Sequence, residues 1–160
     1  MNNLELEQLL NDLPVKVCCS DDLPMKVRVR PKTYVVNTDL CSGKGIHWVV
    51  FHFPKSGNSE FFDSLGERPE TYRRRFKDVL IANGSYLLTL DQIQPKFSDT
   101  CGIYCVLFVR KRYGGLSFRN IMKGFNTKHL DGNDEKALKF IRGGWKKRVD
   151  RDGGRRYRTR

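Results

Sequence analysis

Cys101 and Gly102 open an apolar run, CGIYCVLFV, and Ser98, Asp99 and Thr100 stand just before it. A run that is apolar nearly all round predicts a buried helix, here reaching Tyr113, with Gly114-Gly115 as its stop and the three polar residues as caps. A thiol in the first turn of such a helix faces the positive end of the macrodipole. The unpaired amide hydrogens there favour thiolate, the nucleophilic form. Gly102 leaves room beside it for a substrate backbone. Cys105, one turn further on and inside the apolar run, reads as a core residue.

A thiol nucleophile needs a base, and the chain has three histidines. His47 opens the segment His-Trp-Val-Val-Phe-His, whose alternation puts His47, Val49 and Phe51 on one face of a strand and Trp48, Val50 and His52 on the other. His47 and His52 therefore cannot serve the same site. His129 stands among polar residues near a turn and reads as a surface side chain. A carboxylate beside the imidazole would fix its tautomer and stabilise the imidazolium. Asp63 can supply it if residues 46–53 and 60–64 pair as a hairpin. Asp63 can equally be the start of a turn with Ser64 and Gly66, and Glu60 and Glu67 are its rivals. An oxyanion donor completes the set: a side-chain amide acting with the Cys101 backbone N–H. Gln92 and Gln94 both precede the cysteine in DQIQPKFSDTCG, and composition does not separate them.

These residues must be positioned by surrounding elements. Leu4, Leu9 and Leu10, interleaved with Glu5 and Glu7, predict a short amphipathic helix ending near Pro14. Residues 27–37 read as two extended pieces interrupted by Pro31. The turn SGKG precedes the strongest strand signal, residues 46–53, and residues 60–63 form its hairpin partner. Residues 70–82 have helical periodicity through Tyr72, Phe76, Val79 and Leu80, stopped by Asn83-Gly84. Residues 86–90 are a short strand candidate, and residues 117–123 and 134–142 are two further helices. There are no internal repeats.

Composition bounds the rest. One hundred and sixty residues with 39% hydrophobic content suit one compact core. No run approaches the ~18 apolar residues of a membrane span, and MNNLELEQLL lacks the regions of a signal peptide, so the expectation is an intracellular protein that is not secreted. Five cysteines, at 18, 19, 41, 101 and 105, form no CxxC pair and leave one over in any pairing, which favours thiol chemistry over a disulfide scaffold. No histidine is spaced with the cysteines as zinc motifs require, so no metal is expected. Net charge is +12, and residues 142–160 carry nine Lys/Arg against Asp150 and Asp152, a surplus of seven. Such a tail, poor in aliphatics, is expected to be disordered in isolation and to attract phosphates without reading sequence. Arg73, Arg74, Arg75 and Lys77, and Arg110, Lys111 and Arg112, form two smaller basic groups, each readable as a phosphate contact or as a solvated surface.

The order His-Trp, an acidic residue after a short aromatic strand, Gln, and Ser-x-x-Cys-Gly leading into an apolar helix resembles the adenovirus protease (adenain) family. The resemblance extends to its relatives in Polinton-type and adintovirus-like elements. The matching stretches are VVNTDLCSGKGIHWVVFHF, FFDSLG and QPKFSDTCGIYCVLF, with similarity from the first helix to about Ile141. The resemblance implies an α+β, papain-like fold in permuted order, a mixed sheet packed on the cysteine-bearing helix, in a domain over residues 1–142 followed by the basic tail 143–160. It implies a cysteine endopeptidase working through a thioester, with His47, Asp63 and Cys101 as triad. Gln94, seven positions before Cys101, matches the family glutamine where Gln92 does not. Trp48 corresponds to the tryptophan lining a narrow groove for small residues, with Gly102 beside it.

The resemblance also implies cleavage after Gly-Gly-type sites in virion or capsid precursors, protein or peptide substrates, action in the host nucleus or virion, and a monomer needing no cofactor for chemistry. Family activators are DNA and a disulfide-linked basic peptide. Residues 84–90 hold no cysteine for such a link, so DNA or a non-covalent basic peptide is the expectation here. Ile141-Arg142-Gly143-Gly144 before Trp145 matches the family cleavage pattern, which makes the Gly144–Trp145 bond a self-cleavage candidate, against a simple helix cap followed by a tail. A SUMO or ubiquitin-like-modifier protease shares the same layout of residues. A nonenzymatic nucleic-acid-binding domain would account for the charge and leave the spacing of His, Asp, Gln and Cys unexplained.

Overall fold

The computed structural model describes residues 1–143. Five strands form one mixed sheet in sequential order: β1 (Val15–Cys19), β2 (Lys32–Asn37), β3 (Trp48–Phe53), β4 (Ser59–Phe62) and β5 (Tyr86–Leu88). The outer pairs β1·β2 and β4·β5 are parallel and the inner pairs antiparallel. The helices are α1 (Asn3–Leu10), α2 (Pro69–Tyr72), α3 (Arg74–Ala82), α4 (Cys101–Tyr113), α5 (Phe118–Lys123) and α6 (Asp131–Arg142). This is an α+β architecture compatible with a papain-like cysteine protease. No described helix is long and apolar enough to cross a membrane.

Strand alternation divides the core in two. Trp48, Val50 and Phe62 face α4 and join Leu6, Leu10, Tyr104, Leu107, Phe108, Ile121 and Ala137. Val49, Phe51, Phe53 and Phe61 face the other way and join Phe76, Val79 and Leu80 of α3. With apolar residues on both faces, β3 has no exposed position, which is why its sequence is so uniformly hydrophobic. Phe62 stacks on Phe108 at 4.4 Å between centroids, fixing α4 on the sheet.

Several expectations are corrected. Residues 27–31 are not a strand; only Lys32–Asn37 is, because Val27 gives its N–H to the Asn83 side chain rather than to a ladder. β1 was not anticipated, and it exists by parallel pairing with β2. The helix expected over residues 70–82 is two, parted at Arg73, whose backbone is extended (φ −149°, ψ 131°). The disulfide count also changes: Cys19 and Cys41 are bonded, tying the end of β1 to the loop before β3, while Cys18, Cys101 and Cys105 are free.

The basic group on α4 is not a phosphate-attracting surface. Arg110 is buried and pairs with Asp12 at 2.6 and 3.1 Å and with the Leu9 carbonyl, and Arg112 makes two 2.8 Å bonds to Glu60. In the other group, Arg73 reaches the Thr38 carbonyl, Arg75 the Leu23 carbonyl and Lys77 the Glu70 carboxylate. The tail, with Gly144 and Trp145, lies outside the described residues.

Candidate active site

The site forms where the sheet ends and α4 begins. His47 is the residue just before β3, and its carbonyl accepts the Thr38 N–H. Asp63 follows β4. The β3·β4 register pairs Val50 with Phe62 and Phe51 with Phe61. Continued one step, it sets Asp63 opposite Val49 and diagonal to His47 on the same face, within reach of an imidazole. His47 Nε2 and Asp63 Oδ1 are 2.6 Å apart.

Asp63 is fully buried, and three other donors converge on it: the Leu65 N–H at 3.0 Å, the Glu67 N–H at 2.9 Å and the Tyr72 hydroxyl at 2.7 Å. The turn and the orienting carboxylate are therefore one structure, since Gly66 N–H also bonds the Asp63 carbonyl. Gly66 sits at φ +71°, and a Cβ there would come within 2.6 Å of the Asp91 carbonyl carbon. Only glycine lets the backbone at Asp91 and Gln92, which leads to Gln94, pass this close to the turn after Asp63. Glu60 faces Arg112, and Glu67 contributes its backbone rather than its carboxylate.

Cys101 is the first residue of α4 and lies within hydrogen-bonding reach of His47. Because Nε2 is committed to Asp63, the nitrogen left for the sulfur is Nδ1. Burial of Cys101 opposes ionisation. The bond to His47, the imidazolium charge and the Trp48 and Gly102 backbone N–H groups outweigh it, so the thiol titrates below its ordinary value. For His47, burial alone would lower the pKa, but the bonds to Asp63 and Cys101 hold it at about 9. The two shifts run in opposite directions, the thiol's down and the imidazole's up, and both favour the charged pair. Cys105 is fully buried, and burial keeps its thiol protonated.

In the sequence Tyr72 is only one member of the helical periodicity of residues 70–82. It stacks on the His47 ring at 5.5 Å while its hydroxyl bonds Asp63, and burial and the neighbouring carboxylate raise its own pKa. Its aromatic spacing gave no sign of this. What places it is the break at Arg73, which frees the end of α2 to turn toward the site.

Gln94 is buried and lines the same groove as Cys101, His47 and Trp48. Gln92 instead donates to the Gln94 carbonyl at 2.8 Å. Trp48 is mostly buried in the α4-side core, and its indole N–H donates to the Met1 carbonyl at 3.2 Å. Gly102 is buried, with the Met1 side chain packed beside it. The groove holds about 650 Å³ and is bordered by the loop 40–46 and by Lys96, Ser98 and Asp99. His52 faces away from it, and His129 is exposed. Among the described residues the one cluster with metal-ligand spacing is Cys19, Asp21 and Cys41, whose two sulfurs are bonded to each other.

Together these features bring a thiol, an imidazole and a carboxylate side by side on an α+β scaffold compatible with a papain-like cysteine protease. No family model matches the chain. Two curated proteins of African swine fever virus are similar to it, one named SUMO-1 cysteine protease (a tick isolate from Pretoriuskop, South Africa) and one named cysteine protease (the Vero-adapted Badajoz strain). Each is 29% identical over 116 residues, covering 66% of this chain. The chain spans 40% of the length of these relatives. The similarity supports a viral cysteine protease and does not reach the narrower Polinton-type assignment.

Proposed function

We propose that this chain is a cysteine-type endopeptidase in which Cys101 attacks the scissile carbonyl carbon. The observation that carries the reading is that Cys101 and His47 line one open groove while the buried Asp63 holds His47 at 2.6 Å. As the carbon–sulfur bond forms, the carbonyl electron pair moves to oxygen, where the Cys101 N–H and the Gln94 amide receive it. Collapse expels the amine, which takes its proton from His47 and leaves a thioester. His47 then draws a proton from water, and hydroxide attack releases the acid and the thiolate.

The substrate class we infer is a protein or peptide with small residues, of Gly-Gly type, before the cut. Trp48 lines the groove with Cys101 and Met1 narrows it, while Gly102 lies buried beneath Met1 and is not part of its wall. Maturation of virion or capsid precursors, in the nucleus or the particle, is the corresponding biological reading. A second reading, removal of a ubiquitin-like modifier, is favoured by the name of one viral relative, SUMO-1 cysteine protease. Turnover of Gly-Gly peptides, set beside turnover of a modifier fused through its Gly-Gly end, separates the two. Inertness toward both, with Cys101 reactive to iodoacetamide, rejects protease function.

Nucleic acid contact, if it stimulates turnover, falls to the tail, because most of the basic side chains on α3 and α4 already hold protein partners. Adding DNA to the peptide assay tests this, and a stimulation that survives removal of residues 145–160 rejects it. Cleavage between Gly144 and Trp145 is read by mass spectrometry of wild-type and Cys101→Ala protein. Self-processing requires loss of the tail in the first and not the second.

A further inference from the structure

We propose that Ser64 is a positioning residue for the oxyanion donor: its hydroxyl holds the Gln94 amide so that one amide hydrogen points into the groove beside Cys101. This rests on the protease reading above and adds to it a residue that reads from sequence as a simple turn former.

The Gln94 amide is gripped at both ends. Ser64 Oγ donates to Oε1 at 2.5 Å, and Nε2 donates to the Ser98 carbonyl at 2.8 Å. A carbonyl only accepts, so Ser98 dictates that the nitrogen faces it and the oxygen faces Ser64. Nε2 carries two hydrogens. One is taken by Ser98, and among the described residues the other has no protein acceptor. It lies on a side chain that lines the groove with Cys101.

Ser64 also fixes the backbone, since its carbonyl accepts the Ile93 and Gln94 N–H groups, both at 2.9 Å. Ser64 is fully buried and directly follows Asp63. One dipeptide thus sets both halves of the machinery, the aspartate orienting the base and the serine orienting the donor. Without the hydroxyl, Oε1 loses its partner in a dry site and the amide is free to rotate, while the backbone bonds stay. The effect expected is therefore on stabilisation of the oxyanion, not on the thiolate.

The test uses chemistry that separates those two. Iodoacetamide alkylation of Cys101 needs the thiolate and no oxyanion hole, whereas peptide hydrolysis, and capture of a peptide aldehyde as a thiohemiacetal, need both. For Ser64→Ala we expect kcat to fall roughly 10- to 100-fold, with KM near the wild-type value and aldehyde affinity falling in parallel. Alkylation should stay within about 2-fold. Ser64→Thr should restore much of the loss, and Ser64→Ala should add little in a Gln94→Ala background. The side-chain amide signals of Gln94, assigned by their loss in Gln94→Ala, should move or broaden in Ser64→Ala, a readout that needs no turnover. Unmoved amide signals, or alkylation falling in step with hydrolysis, overturn the proposal. Moved signals in a protein that cleaves no peptide uphold the positioning and reject the protease reading instead.

Discussion

The two ends of β3 carry the same ingredients and make opposite things of them. At one end stands His47 near Asp63; at the other stands His52, directly opposite Glu60 in the β3·β4 register. Asp63 takes its hydrogen bonds from neutral groups and from His47, so its charge is available to an imidazolium. Glu60 is already claimed by the Arg112 guanidinium, and His52 is left bonding Thr33 at 2.7 Å with Tyr113 edge-on to its ring. Burial, then the Arg112 charge, push His52 down to about 3, whereas His47 is held at about 9. A histidine beside an acid is a base only when no stronger cation has taken that acid.

Replacing the two histidines in turn should give the largest contrast. His47→Ala is expected to lower kcat/KM by roughly 10⁴-fold or more, because the thiolate loses its counterion and the leaving amine its proton donor. His52→Ala should leave kcat/KM within about 3-fold and lower stability by about 1–3 kcal/mol in denaturant titrations, from lost packing and from loss of one of the two hydrogen bonds of the Thr33 hydroxyl, the other being to Tyr113. Equal kinetic losses in both variants would erase the distinction.

Arg112→Met attacks the sealed end from the other side. It strands a buried carboxylate opposite His52, and breaking such a pair from one side lowers stability by about 3–5 kcal/mol. The imidazole of His52, relieved of the cation and facing a free acid but still buried, should then titrate higher than in the wild type, which ¹H–¹⁵N spectra of the ring would report. No change in its titration would mean that the Arg112 charge adds nothing to the effect of burial.

The smallest effect is on pH dependence, where the two ends should slope in opposite directions. His47 is raised above its ordinary value of 6.5, so its contribution to stability is complete below about 6.5 and disappears as pH climbs through about 9. His52 is lowered, so its contribution is complete above about 6.5 and drains away as pH falls toward about 3. Unfolding free energies of wild type and each alanine variant across pH 4–10 should show the alkaline slope vanish with His47 and the acid slope flatten with His52. The alkaline limb of kcat/KM should follow His47 and lie near 9.

How much of this was readable in advance depended on whether the signal was local. The α4 helix and the β3 strand were legible to within a residue or two because most of each is buried and apolar, with Gly114-Gly115 marking where α4 stops. Val15–Cys19 was not, since five residues after a proline become a strand only when β2 arrives to pair with them. The Cys19–Cys41 bond is likewise invisible to spacing, because it joins the end of β1 to the loop after β2, and those two are neighbours only through that same parallel pairing. His47, Asp63, Gln94 and Cys101 were singled out by residue type, order and resemblance, and the structure brings His47, Gln94 and Cys101 to one groove with Asp63 buried behind His47. Tyr72 and Ser64 were passed over because aromatic periodicity and turn propensity already accounted for them. Their second contacts are with residues that only the folded chain makes neighbours.

The Cys19–Cys41 link has a practical consequence for anyone handling the protein. Reductants added to keep Cys101 free of oxidation also open this tether, whose Cys41 end is exposed. Closing a loop of this size confers about 3 kcal/mol in the chain-entropy picture. A buffer that maximises titratable active sites is therefore one in which the folded protein should melt earlier, and storage and assay conditions have different optima.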